Sequence, residues 1–505
     1  MKKLLFSITL AALCVPAGAQ QYIIVDNELP IQASDVDKIT YEQDEQFSSH
    51  LLPAVLAADT KAQLFSRALQ ETGLVETLRN YEYNDYQATN DYYPIGTDGY
   101  GSLIKCWYNT SRNKMVTVFI ETDEALAAQG ISNINQLKAY AKKVYDAVYP
   151  EDADISDPKD PRNSFNRFIA YHILPFGCTY WNLTYYDGKQ TDKVIDTDMT
   201  DIAAWYGTVM SNASLKCSYP MGSESGVYLN RRGLKDGPDK YCKQIRGAKV
   251  VPGDSNKSDP FTHQAFNGYY FYIDRMLVYD KTTQEDVLGS ELWRVDFKAL
   301  SPDIMNNAED LRGNFFYIGD SEDTTNGKNY AYSFNCLENI TAENTNAPLL
   351  ASRASSIYCT YLCDEVWIPG TGGIFTIKLP PLPPGEWEIR MGTTANESCP
   401  HIRVSLNGQV TINSLDLTQK YDEADFPGKM KAPVECRCNS GGSGNWISLS
   451  EYNICVRYPL GRITTDGKTD NYLRIESLSD GMPGSNNELA LDYFEFVPKP
   501  IYDNE

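Results

Sequence analysis

Histidine is scarce. The chain of 505 residues has four, at positions 50, 172, 263 and 401, and none stands in the H-E-x-x-H spacing of a zinc hydrolase. Cysteine does not make up the shortfall. Cys359-x-x-x-Cys363 and Cys436-x-Cys438 lack a matching second pair, which argues against a zinc site. Positive charge is also short: 45 Lys and Arg stand against 67 Asp and Glu, a formal net charge of −22. Such a chain repels phosphate backbones and anionic membranes, so no nucleic-acid partner is expected. Beyond the leader, no apolar run is long enough for a transmembrane helix. A G-x-S-x-G elbow, a P-loop and a dinucleotide fingerprint are all missing in a strand-turn-helix context. The sequence therefore names no catalytic residue, no metal ligand and no cofactor.

What is there reads as globular. Apolar residues make up 42% and charged residues 22%, and tyrosine is abundant at 35 residues, which suits half-buried strands and wet recognition surfaces. The length allows two or three domains. Residues 1–19 read as a secretion signal: basic Lys2 and Lys3, the apolar Leu4 to Val15, then Ala17-Gly18-Ala19. A lipid anchor at Cys14 is the rival, disfavoured because Leu13 is large where a small residue is wanted. Cleavage after Ala19 removes one of 12 cysteines and leaves an odd number, so at least one thiol is free or intermolecular, while others are expected to pair after export.

Residues 20–47 form an acidic N-terminal extension. A helix is expected over 59–80, capped by Asp59 or Thr60 and broken at Gly73. Residues 81–115, rich in Tyr, Asn, Asp and Gly, read as hairpins and loops. The run Val116 to Ile120 is a buried strand, followed by Thr122-Asp123-Glu124 as the start of a helix. A second helix covers 135–149. The Pro- and Asp-rich connection at 150–163 lacks the glycine and terminal glutamate of a calcium loop, so it reads as solvated. A helix over 165–172 ends in Tyr171-His172, where His172 is best explained as a packing residue. Asn267-Gly268 is the favoured dipeptide of a two-residue hairpin turn, and an alternating strand runs from it to Asp274.

Three of these segments, in this order, resemble the core motifs of a fasciclin-type domain: the strand with Thr117 and Phe119 followed by Thr122 and Asp123, the pair Tyr171-His172, and Asn267-Gly268 through Asp274. The resemblance spans 48–288. It implies an α+β fold and a role in adhesion or ligand binding, with Tyr171 and His172 linked to integrin-type binding. The family usually has Pro at the place of Glu121.

Residues 289–355 read as a connecting region. From 356 to 505 the period becomes two, as in Phe375, Ile377 and Leu379 or Trp387, Ile389 and Met391, with Asn407-Gly408 as a turn. Leu382 to Arg390 and Leu491 to Pro498 resemble the pattern of a galactose-binding-type jelly roll, which implies an all-β sandwich of the kind used as a carbohydrate-binding module. Aromatic faces stack on sugar rings, so Trp446, beside a glycine-rich loop, and Trp367 are the glycan-binding candidates. The expected fold is thus a fasciclin-like α+β domain followed by a jelly-roll sandwich. The expected function is a non-catalytic, exported protein binding a glycan or a surface protein. The alternatives are a glycan-processing hydrolase with an acidic site and a subunit of a surface assembly.

Overall fold

In the computed structural model of the chain the described residues are 22–23, 31–32, 49–79, 92–97, 103–108, 114–184, 201–220, 225–233, 244–253, 259–307, 330–334, 337–344, 349–353, 361, 364–368, 373–395, 399–419, 455–478 and 489–504. The chain falls into two compact units, Met1–Ser49 and His50–Glu505. The first holds β1 (Tyr22–Ile23) and β2 (Ile31–Gln32), paired antiparallel with Ile23 opposite Ile31. The second is mostly β-sheet with few helices.

The second unit opens with α1 (Leu52–Ala58), α2 (Gln63–Glu71) and α3 (Val75–Arg79). The helix expected over 59–80 with a break at Gly73 is two helices, α2 and α3, separated where Gly73 adopts φ +73°, a conformation glycine takes at little cost. Neither Asp59 nor Thr60 caps α2. Its N-cap is Ala62, which offers no acceptor, and the Asp123 carboxylate takes the N–H groups of Gln63 and Leu64 at 3.2 and 3.0 Å. Asp59 is engaged elsewhere, accepting from Lys61 N at 2.9 Å and from the Tyr272 hydroxyl.

Next come β3 (Tyr92–Thr97) and β4 (Leu103–Tyr108), β5 (Val116–Glu121), α4 (Asp123–Ala127), α5 (Ile134–Val148) and α6 (Ser164–Tyr171), then β6 (Ile173–Leu174), β7 (Asp201–Gly207), β8 (Ser214–Pro220), β9 (Tyr228–Leu229), β10 (Ala248–Val251), β11 (His263–Ala265) and β12 (Gly268–Ile273). The run Leu215 to Tyr219 is the middle of β8. Strands β5 to β12 make one sheet in the order β6-β5-β12-β10-β9-β8-β7, with β11 on β12. Its centre is a parallel pair, β5 with β12, running from Gly268 opposite Val116 to Ile273 opposite Glu121. All six residues of β5 are buried, as expected of a β-branched and aromatic strand covered on both faces.

The β11–β12 turn differs from the sequence expectation. Ala265 pairs with Gly268, so the two turn residues are Phe266 and Asn267, not Asn267 and Gly268. Gly268 is already in the strand, where a Cβ would lie 2.2 Å from the Val116 carbonyl oxygen. Asn267 is buried and ties two helices together, accepting from Leu52 N at 2.8 Å and donating to the Leu78 carbonyl.

The remaining strands are β13 (Trp293–Asp296), β14 (Tyr330–Tyr332), β15 (Ile340–Ala342), β16 (Leu349–Arg353), β17 (Asp364–Ile368), β18 (Ile374–Lys378), β19 (Gly385–Thr394), β20 (His401–Leu406), β21 (Gln409–Asp416), β22 (Cys455–Thr465), β23 (Tyr472–Leu478), β24 (Leu489–Leu491) and β25 (Tyr493–Pro498). They form sheets in the orders β13-β25-β19-β22, β15-β18-β23-β20-β21 and β24-β17-β16-β14-β4-β3. Residues 289–355, expected as a connection, supply β13 to β16. The hairpin β3–β4 joins the last of these sheets through β4, parallel to β14. Sandwich-like sheets therefore draw strands from outside 356–505. Asn407 and Gly408, both at positive φ (48° and 77°), make the two-residue β20–β21 turn.

The N-terminal sheet and the later sheets share one apolar core. At their meeting point Trp205 of β7 stacks on Trp293 of β13 (6.1 Å, 7°), and Trp293 meets Trp387 of β19 edge-on (5.4 Å, 68°). On the other face of β13-β25-β19-β22, Glu495 is wholly buried and held by Arg294 (2.9 and 2.6 Å) and Arg457 (3.0 and 2.9 Å). Burial alone would raise the Glu495 carboxyl. The Arg294 and Arg457 charges outweigh it and hold the group below its ordinary value.

Candidate functional site

The parallel pair sets the site. The carboxyl ends of β5 and β12, at Glu121 and Ile273, lie side by side, and the chain leaving them converges with α5. A groove of about 440 Å³ opens there, lined by Ala125, Ala128 and Gln129 at α4, Tyr140 of α5, and Asp274, Arg275 and Met276 after β12. Segments leaving the carboxyl ends of neighbouring parallel strands are a recurrent place for ligands. Thr122 shapes one wall by capping α4, accepting from Ala125 N at 3.1 Å. Asp274 shapes the other, accepting from Lys249 N at 2.8 Å.

Met276 of the lining leads into Leu277, which joins a buried hydrogen-bonded set. His172 follows α6 as its C-cap, wholly buried, between the rings of Phe65 and Phe168. Its Nδ1 is 2.7 Å from the Phe168 carbonyl oxygen and must donate. Its Nε2 is 2.9 Å from Glu121 Oε1, so one proton is held between imidazole and carboxyl. Glu121 Oε1 also accepts from Leu277 N at 2.9 Å. One carboxyl group thus joins β5, α6 and the segment after β12, which are the three motif segments.

The groove's electrostatics are mild. Burial would raise the Asp274 carboxyl, but Arg246 at 2.7 Å and the Lys249 amide hold it below its ordinary value. Arg275 approaches Asp274 only through Nε at 3.5 Å and is 46% exposed, which leaves its guanidinium fork for solvent or a ligand. Burial, and then the charges of Glu121 and Asp280, raise the Tyr140 hydroxyl, so it is a neutral phenol. Asp274 is the one carboxylate in the lining, and an acid pair of the kind used in glycoside hydrolysis is missing from it. The lining can stack and hydrogen-bond.

The motif residues themselves are mainly framework. Thr117 is buried, donating to the Phe176 carbonyl at 2.8 Å and accepting from Cys178 N at 2.9 Å. Phe119 packs on Phe271 (5.8 Å, 27°). Asp123 caps α2, and Asn267 and Gly268 set the close approach of β12 to β5. Tyr171 is wholly buried, donating to the Ser214 carbonyl and accepting from Asn230 Nδ2, both at 2.9 Å, so neither Tyr171 nor His172 meets solvent. Of the expected site residues, Asp274 alone lines the groove. Gln129, Tyr140 and Arg275 join it from three separate elements. Only the adjacency of Arg275 to Asp274 was a signal for any of them.

Trp367 is half-buried on β17, which has β16 and β24 on its two sides. Trp446 lies outside the described residues. Among the described residues no group of three or more His, Cys, Asp or Glu side chains could hold a metal ion, and no helix is long and apolar enough to cross a membrane. Cys217, on β8, carries a buried free thiol that burial pushes far up in pKa.

No protein-family model matches the chain, and no curated protein matches it in sequence. Among solved structures it is similar in part to a xanthan lyase from Paenibacillus (10% identity over 34% of this chain and 13% of that one, TM-score 0.23). It is also similar in part to a family 35 carbohydrate-binding module from Clostridium thermocellum (11%, 34% and 97%, TM-score 0.16). A third likeness is to a β-(1,4)-mannanase from Podospora anserina (11%, 32% and 28%, TM-score 0.17). The chain spans only 13% of the lyase and 28% of the mannanase. Likenesses this slight assign neither fold family nor function.

Proposed function

We propose that this chain is an exported, non-catalytic binding protein, fasciclin-like in its first half and carbohydrate-binding-module-like in its second, that captures a glycan or a surface protein. One observation carries the reading: the three fasciclin-like segments meet through hydrogen bonds of Glu121 to His172 and to Leu277, whose neighbour Met276 lines an open groove. The groove chemistry supports binding over turnover. It combines an aromatic ring, an amide, one carboxylate already satisfied by Arg246, and an arginine with donors to spare, without a nucleophile–base pair.

The test is an array of glycans and immobilised extracellular proteins, probed with the intact chain and with Arg275→Ala. Binding that the substitution weakens about tenfold supports the reading. A blank on both classes of ligand sinks it. Turnover of a bound glycan, abolished by a single acid-to-amide change, would replace it with the hydrolase alternative.

A further inference from the structure

The geometry points to a second binding surface on the first half of the chain: we propose that Trp181 is a preorganised stacking platform for the pyranose ring of a neutral glycan. The inference rests on the glycan form of the reading above and adds the place and the ligand class.

Trp181 opens a 3₁₀ turn, Trp181–Leu183, and is 46% exposed. In the same core Trp205, Trp293 and Trp387 are fully buried. A single exposed apolar side chain needs no explanation by itself. What sets Trp181 apart is how firmly its turn is held. Leu183, two residues on, is buried, and its carbonyl accepts from the Tyr206 hydroxyl at 3.0 Å. Tyr180, one residue back, stacks face to face on Phe261 (4.2 Å, 10°) and supports the Trp181 ring edge-on (5.0 Å, 84°). The Tyr180 hydroxyl accepts from Val227 N at 3.1 Å. The indole is thus fixed before any ligand arrives, and little ordering entropy opposes binding.

The ligand class follows from two features. The other exposed large apolar residues described, Phe266, Val410 and Tyr472, sit on other elements, so among the described residues none extends the Trp181 turn into the broad apolar patch of a protein or membrane contact. A lone aromatic face suits the CH face of a sugar ring. The net charge of −22 opposes polyanionic glycans, which leaves neutral ones.

The test is affinity electrophoresis of the intact chain in gels carrying galactomannan, β-1,3-glucan, xylan or polygalacturonate, with Trp181→Ala, Trp181→Phe and Tyr472→Ala alongside. Retardation is expected in at least one neutral gel, weakened about tenfold by Trp181→Ala, in part by Trp181→Phe, and unchanged by Tyr472→Ala, an exposed aromatic on another element. Unchanged retardation of Trp181→Ala, or retardation by polygalacturonate alone, overturns the platform and leaves glycan binding standing elsewhere. No retardation in any gel overturns the platform; a glycan array blank as well would remove the glycan reading with it. The melting temperature of Trp181→Ala, expected to fall only slightly with loss of the edge contact to Tyr180, separates loss of binding from loss of fold.

Discussion

Asp123 caps α2 from across the fold, accepting from Gln63 N and Leu64 N over 60 and 59 residues of sequence. A cap of this kind is worth about 1–2 kcal/mol. Asp123→Ala should lower unfolding free energy by about that much, and Asp123→Asn, which keeps one of the two accepting oxygens, by about half as much. Urea denaturation of the three proteins checks it. Equal losses for Ala and Asn would show that the charge, not the hydrogen bond, matters.

Glu121 and His172 share one proton in a site closed to water. Glu121→Ala strands the imidazole Nε2 and the Leu277 amide together, at a cost of about 2–4 kcal/mol. Glu121→Gln presents either its oxygen or its amide nitrogen at the point that His172 Nε2 and Leu277 N both meet, so it keeps one of the two hydrogen bonds to a neutral His172 and should cost about 1–2 kcal/mol, less than Ala. Chemical denaturation distinguishes the two. The same Ala variant should loosen the groove, read as faster hydrogen exchange at Leu277.

Glu495 sets a pH dependence. Its carboxyl titrates below the ordinary 4.5 in the folded chain and near that value when unfolded. Its stabilisation is therefore complete above the ordinary value and is lost as pH falls through the lower, folded one. Glu495→Gln should cost about 3–5 kcal/mol at neutral pH, because Arg294 and Arg457 are left without their buried counter-charge. The difference in melting temperature between the two proteins should shrink steadily below about pH 4.5. A constant difference down to about pH 3 would count against the buried pair as its source.

Residues 356–505 should not fold alone. Their sheets need β13, β15 and β16, and Trp387 packs on Trp293. Cutting there exposes the edges of β25, β18 and β17 and half of a shared core. The fragment should give poorly dispersed amide resonances, whereas the chain from His50 onward should give a native spectrum. A well-folded fragment would mean that the tryptophan contacts are incidental.

The sequence showed local structure well and long-range structure poorly. Strands such as Phe375 to Leu379 and Trp387 to Met391 were legible because alternation is a property of consecutive residues. The Asn407-Gly408 turn was legible for the same reason. The cap of α2 was not, because capping patterns are read locally and Asp123 acts from a distant strand end. The destination of β3–β4 was hidden in the same way. Its partner β14 lies far along the chain, and parallel pairing leaves no local signature. Of the groove, only Asp274 was visible. Gln129, Tyr140 and Arg275 are ordinary surface residues until three elements bring them together. Trp181 and Trp205 look alike in sequence, yet one is a platform and the other is core.

The pairing of β13 with β25, Arg294 opposite Glu495, has a consequence for the order of events during synthesis. The arginine is made 201 residues before its counter-ion, and the β3–β4 edge waits longer still for β14, whose Tyr330 pairs with Trp107. Through that interval the nascent chain carries an unneutralised guanidinium and bare strand edges that cannot close. Folding deferred until the whole chain is made, for instance by a holding chaperone, would remove the wait.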